Sequence, residues 1–208
     1  MSEQLPRGEP LAPRGVVATP RIPPVTTPDA DQAAALAKAL PRTDGTPLNI
    51  FATLAHVPRL LRRVNGLGGY FAVHGKLPAR DRELVVLRTA ALTGSTYEAE
   101  HHRTIGAAVG LTPEEIEAAL AVERTASADA DASPATAHPW SPADAALLRA
   151  ADELATERTV TDATWAALGA THDDEERLEL LVLVGFYAML AGVIDAAGIE
   201  LDPLRPAT

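Results

Sequence analysis

The 208-residue chain carries 18 basic against 28 acidic residues, a formal charge of -10, and no cysteine. That balance repels phosphate backbones and anionic lipid surfaces, so neither nucleic acid nor a membrane surface is an expected partner. The lack of thiols excludes disulfides, thiolate nucleophiles, thiolate metal sites and any cysteine-based redox cycle.

Hydrophobic residues make up 47% of the chain and aromatics only 4%. The hydrophobic share is largely alanine, leucine and valine, which suit closely packed helices and predict an all-α protein. The length suits one domain with a full core. No basic-then-apolar signal pattern opens the chain, and the longest nearly unbroken apolar run, 180–194, falls short of a comfortable bilayer span. The expectation is a cytoplasmic protein with that run as a buried core helix.

Residues 1–28 hold seven prolines and read as an extended or disordered arm, with 29–208 as a single helical domain. Asp29 or Asp31 caps a short alanine-rich helix that ends before Pro41. Pro47 at a first-turn position predicts a helix to about Ala55. Pro58 opens another to about Val64, where Asn65, Gly66, Gly68 and Gly69 interrupt it.

The stretch LPARDRELVVLRTAALTG has apolar residues at helical spacing after Pro78, stops at Gly94, and reads as the clearest amphipathic helix. Ser95 opens a helix to about Val109, and Thr112 with Glu115 opens a third with a capping box. Residues 123–140 mix Ala, Asp, Ser, Thr and Pro without period and read as a solvated connection. Ser141-Pro142 then starts a helix to about Glu157, Thr161 caps a short one, and Asp173 or Asp174 caps a long one ending near Gly198.

ELVVL at 83–87 is echoed by ELLVL at 179–183, an offset of 96. If this marks a degenerate internal repeat, the second copy has lost its polar residues: Ser95, Glu98 and His102 correspond to Ala191, Ile194 and Gly198.

The chemistry-bearing segment is GSTYEAEHH, residues 94–102. His102 is a polar group on a stripe with Glu98, Ile105, Gly106 and Val109. It reads either as a proton carrier near neutral pH or as a core histidine bonded to a backbone carbonyl. His101 points elsewhere, and periodicity does not say which histidine faces inward. Glu98 reads either as the third member of a Ser95 capping box or as a partner for His102 one turn on. Glu83 begins the buried stripe of its helix, either as a desolvated acid or base or as a first-turn glutamate paired with Arg80. Glu98-x-x-His101 has the spacing of carboxylate di-iron helices. The second such pair those sites need is absent, so no metal is expected.

The segment LPARDRELVVLRTAALTGSTYEAEHHRTIGAAVGLTPEEI resembles the carboxymuconolactone decarboxylase family, which includes the alkylhydroperoxidase D proteins. In the peroxidase branch a glutamate is followed at +12 and +15 by two cysteines and at +19 by a histidine. Counted from Glu83 these positions hold Ser95, Glu98 and His102, so the acid and imidazole match and both thiols are replaced. The resemblance implies an alkylhydroperoxidase D-like helical bundle, assembly into homo-oligomers such as trimers or hexamers, and Glu83 and His102 facing one pocket.

Two functional readings follow. The first is a cofactor-free acid/base enzyme, a lyase or isomerase without thiol peroxidase activity, acting on a small-molecule substrate that is a carbonyl-containing acid or lactone. His102 and Glu83 would be its catalytic pair, and Glu98, Ser95 and Tyr97 would position substrate. The second is a non-catalytic binding or assembly protein that retains the family core. An enclosed cavity lined by Glu83 and His102 speaks for the first, and a buried contact without a cavity for the second.

Overall fold

The computed structural model describes residues 19–42, 44–121 and 138–203. Among them lie nine helices: α1 (Ala30–Leu36), α2 (Asn49–Leu54), α3 (Pro58–Val73), α4 (Ala79–Thr93), α5 (Thr96–Ala108), α6 (Pro113–Leu120), α7 (Pro142–Glu157), α8 (Asp162–Gly169) and α9 (Asp174–Ala197). The described residues contain no β-strand beyond an isolated bridge between Pro41 and Pro47, so the fold is all-α.

Local chemistry sets most helix starts. Asp29, Ser95, Thr112, Ser141, Thr161 and Asp173 each accept a backbone N–H from the first turn of the following helix. Each such cap satisfies a donor that the helix itself leaves free, stabilising it by about 1 kcal/mol.

Two expected boundaries are corrected. Pro47 does not start α2, because it belongs to a tight turn in which the Arg42 N–H donates to Thr46 O at 2.7 Å, and Leu48 is the N-cap instead. The interruption expected at Asn65 and its glycines does not occur, and α3 runs on to Val73. Its buried residues Leu61 and Phe71 lie on either side of those glycines. Gly68 faces α9, where an added Cβ would make ordinary contact with the Phe186 ring at 3.6 Å. Burial on both sides outweighs a helix penalty of roughly 1 kcal/mol per glycine.

At the centre stands α4, packed against α5, α6, α7 and α9. It is not the one-sided amphipathic helix the pattern suggested, since every residue from Glu83 to Ala90 is buried. Leu84, Val85, Val86 and Leu87 are each 0% exposed, a burial that stabilises by about 1.5–3 kcal/mol per side chain. The charge at Arg88 is tolerated because its Nε–H donates to Asp152 at 2.5 Å and its guanidinium also reaches Ala121 O at 2.6 Å, tying α4 to α7 and to the end of α6.

Helix α9 is longer than the apolar run alone suggested, and by length and composition it could cross a membrane. One face is nevertheless core, with Leu180, Leu183, Leu190 and Ile194 buried among α4 and α7, while Leu178, Val182 and Met189 are exposed on the other. The echoed glutamate of α9, Glu179, accepts from the Tyr70 hydroxyl at 2.6 Å and from the N–H groups of Lys76 and Leu77 at 2.7 and 2.9 Å. It stitches the turn between α3 and α4.

The described part of the expected arm, 19–28, lies on its own chain: the N–H groups of Arg21 and Ile22 donate to Ala197 O, and that of Val25 to Ala52 O. The rest of that arm, 1–18, and most of the expected connection, 122–137, lie outside the described residues.

Candidate active site

Gly94, in the left-handed region at φ 71, closes α4 and lets the chain reverse at once into α5. The Ser95 N–H still reaches back to Ala90 O at 2.9 Å, so the two helices form a tight antiparallel hairpin. That geometry sets Glu83 of α4 across from His102 of α5, and the His102 Nδ1–H donates to Glu83 Oε2 at 2.6 Å. Glu83 is 2% exposed and His102 7%, so the pair sits inside the bundle.

The other Glu83 oxygen accepts from Arg82 Nε–H at 3.0 Å, and Arg82 is itself held by Phe71 O at 3.1 Å. Arg80, the cation expected beside Glu83, instead bonds Asp144 at 2.6 Å and Glu115 at 2.5 Å. Adjacency does not mark Arg82 as a partner of Glu83, because sequence neighbours on a helix normally point apart. Here the long guanidinium arm curls back, drawn by a carboxylate that needs a second donor.

The capping box expected of Ser95 and Glu98 is only half made. Ser95 Oγ accepts the Glu98 N–H at 3.4 Å, but the Ser95 N–H is already taken by Ala90. The Glu98 carboxylate is therefore released from capping and lies 3.5 Å from His102 Nε2. This is an ion-pair contact at the outer edge of hydrogen bonding.

Burial by itself opposes charge on His102. The bond to Glu83 and the proximity of Glu98 outweigh it and push the imidazole up to about 9. Burial likewise raises Glu83, yet His102 and Arg82 together hold it below the usual carboxylate range. At neutral pH the pair rests as carboxylate and imidazolium.

The ring of Tyr187 on α9 meets that of His102 edge to face, with centroids 5.0 Å apart and planes at 88°. Tyr187 is partly buried, and its hydroxyl makes no hydrogen bond among the described residues. Burial and then the charges of Glu98 and Glu83 raise the phenol, which keeps its proton.

Tyr97 is placed in a different cluster. Its hydroxyl donates to Asp202 Oδ2 and receives the Ile50 N–H at 3.3 Å, and its ring stacks on His101. His101 Nε2 lies 3.2 Å from the same Asp202 oxygen, and its Nδ1 lies 2.9 Å from Tyr97 O. Asp202 Oδ1 accepts Arg42 Nε–H at 2.6 Å and the Asn49 N–H at 2.9 Å. Burial would raise Asp202, but these donors hold it down at about 2. The two adjacent histidines thus serve different carboxylates, and His102 is the one that faces Glu83.

Two concavities stand out among the described residues. One of about 400 Å³ lies beside α1, lined by Pro28, Leu36, Pro41 and Pro47. The other, of about 10 Å³, lies between Ile22, Thr53 and Ile199. Neither is lined by Glu83, Glu98 or His102.

Residues 58–153 match the carboxymuconolactone decarboxylase family. No curated protein matches the sequence. Among solved structures, the fold is similar to an uncharacterized peroxidase-related protein from Ralstonia eutropha JMP134 described as an alkylhydroperoxidase AhpD core, at TM-score 0.68 and 19% identity over 88% of this chain and 90% of that one. It is also similar to a peroxidase-related protein from Silicibacter sp. TM1040, at 0.64 and 15% over 86% and 95%. A third match is a putative antioxidant defence protein AhpD from Agrobacterium tumefaciens, at 0.60 and 18% over 73% and 96%. With the family match spanning α3 to most of α7 and these neighbours sharing the helical fold, the chain has an alkylhydroperoxidase D-like fold whose residues 58–153 resemble the carboxymuconolactone decarboxylase family, in a sequence without a single cysteine.

Proposed function

We propose that the protein is a cofactor-free acid/base enzyme, a carboxy-lyase or isomerase acting on a small carbonyl-containing acid or lactone, with no thiol peroxidase activity. The observation that carries this reading is the unequal treatment of the two ring nitrogens of His102. Nδ1 is committed to Glu83 at 2.6 Å, whereas Nε2 meets Glu98 only at 3.5 Å. One nitrogen is anchored, which fixes the orientation of the ring, and the other holds a proton it can share.

In a decarboxylation the bond to the leaving carboxylate breaks, its electron pair moves onto the carbonyl oxygen as an enolate, and carbon dioxide departs. The His102 Nε2–H then protonates the carbon, and solvent restores the imidazolium. In an isomerisation Glu98 takes a proton from one carbon, Nε2–H supplies one to another, and Glu98 returns its proton to the imidazole. Glu83 positions His102, Ser95 secures the first turn from which Glu98 projects, and Tyr97 steadies α5 through Asp202.

The test is release of carbon dioxide and exchange of α-protons on carboxymuconolactone and a panel of β-keto acids and lactones. On the substrate so found, His102→Ala lowers kcat by roughly 10²–10⁴-fold in a chain that still folds, melting lower because Glu83 loses its partner. Full turnover by that variant would remove His102 from the mechanism.

A second reading, a non-catalytic binding or assembly protein, is favoured by one observation: Glu83 and His102 touch directly while both concavities lie elsewhere. It predicts no turnover on any compound of the panel. Both readings place the chain in the cytoplasm as a homo-oligomer, trimeric or hexameric. The exposed apolar residues Leu60, Leu67 and Val73 of α3 and Val182 and Met189 of α9 fit burial between copies, which sedimentation tests.

A further inference from the structure

The Glu83–His102 ion pair is held from both sides, and beside it stands one hydroxyl that has no protein partner among the described residues and is not sealed from solvent. Glu83 uses both oxygens, one on His102 and one on Arg82. Tyr187 comes from a different helix, places its ring 5.0 Å from that of His102, and leaves its hydroxyl without a partner among the described residues. The chain's other two tyrosines are bonded to carboxylates, Tyr70 to Glu179 and Tyr97 to Asp202.

Packing explains the ring of Tyr187 but not its oxygen. The ring stands edge to face against both His102 and Phe186, and a phenylalanine would make the same contacts. A solvent-reachable hydroxyl beside an imidazolium, with no protein acceptor among the described residues, is free to meet a ligand oxygen in place of water. The carboxylates around it favour the protonated phenol, so the group acts as a donor.

We infer that Tyr187 is a catalytic residue of the site formed by Glu83, His102 and Glu98, its hydroxyl donating a hydrogen bond to the carbonyl oxygen of the substrate. This rests on the acid/base reading of His102 and extends it by assigning the group that receives the developing negative charge. As the substrate becomes an enolate, its oxygen gains charge and the bond from Tyr187 strengthens, while His102 Nε2–H addresses the carbon. The phenol shares its proton and does not lose it, so the proton count of the reaction is unchanged. The substrate class narrows accordingly to compounds whose carbonyl oxygen lies close enough to the reacting carbon for both donors to reach them, as in a β-keto acid or an unsaturated lactone.

The test uses oxalate, a planar mimic of an enolate bearing two adjacent oxygens, titrated calorimetrically into the full-length protein. The unaltered chain binds it, His102→Gln abolishes binding, and Tyr187→Phe weakens it roughly tenfold or more, the effect of deleting a hydrogen bond to a charged group. In Tyr187→Phe the His102 imidazole, followed by NMR, still titrates at its raised value because both carboxylates remain, and the melting temperature is unchanged. Equal oxalate affinity in Tyr187→Phe and the unaltered chain overturns the assignment of Tyr187 and leaves the reading of His102 standing. A fall in the His102 titration in Tyr187→Phe also overturns it, since the phenol would then serve only to place the imidazole. Failure of the unaltered chain to bind oxalate, or binding indifferent to His102→Gln, overturns the acid/base reading and the role of Tyr187 together.

Discussion

His101 and His102 are neighbours on one helix, and their surroundings separate structure from chemistry. Asp202, the partner of His101, is saturated: one oxygen accepts from Arg42 and Asn49, and the other is shared by Tyr97 and His101. Nothing in that cluster is left to offer a ligand. Around His102 the pairing is incomplete, with Nε2 only loosely held by Glu98 and the Tyr187 hydroxyl without a partner among the described residues. Two clusters of similar composition and burial therefore differ in unspent hydrogen-bonding capacity, and that capacity is what a reaction needs.

The contrast breaks most sharply at Asp202. Asp202→Ala takes the shared carboxylate from Arg42, Tyr97 and His101 at once, and breaking a buried ion pair from one side costs about 3 kcal/mol. Chemical denaturation should show that loss, while NMR should find His102 still titrating at its raised value. A matching fall in the His102 titration would mean the two clusters act as one.

The pH dependence of stability sharpens it next. The His102 imidazole titrates at about 9 in the folded protein against 6.5 as a free group, so the folded state holds the extra proton between those values. The stabilisation is complete below about 6.5 and is lost as pH rises through about 9. The groups facing the imidazole are Glu83 with Arg82 on α4, Glu98 on its own helix and Tyr187 on α9. Melting temperatures recorded across that window should decline in the unaltered chain more steeply than in His102→Gln. Parallel curves would show that His102 is not the group responsible.

The smallest effect belongs to the element the two clusters share. Ser95→Ala removes the N-cap of α5 and should cost about 1 kcal/mol, read by thermal melting. Both histidines should keep their titrations, because the α4–α5 hairpin is still closed at Gly94 and the Ser95 position by backbone bonds.

Helix starts were legible in the sequence because capping is local: Asp29, Ser95, Thr112 and Asp173 announce themselves within four residues of what they bond. The continuity of α3 through Gly66 and Gly69 was not, since it depends on burial of Leu61 and Phe71 and on a distant α9. The meeting of Glu83 and His102 followed from the spacing shared with the family. Arg82 was hidden by adjacency, and Asp202 and Tyr187 by separation, because no periodicity relates α5 to residues about a hundred positions away. The echo between Glu83 and Glu179 was visible, but not that the second carboxylate would pin a turn where the first pairs with an imidazole.

The position of Asp202 along the polypeptide has a consequence for biosynthesis. It joins Tyr97 across 105 residues and Arg42 across 160, so a ribosome delivers the acceptor long after its donors have emerged. During translation the early helices are made with those donors facing water, and closure of this seam is a late step governed by long-range encounter. A nascent chain that stops upstream of this aspartate would own all nine described helices and still lack their fastening.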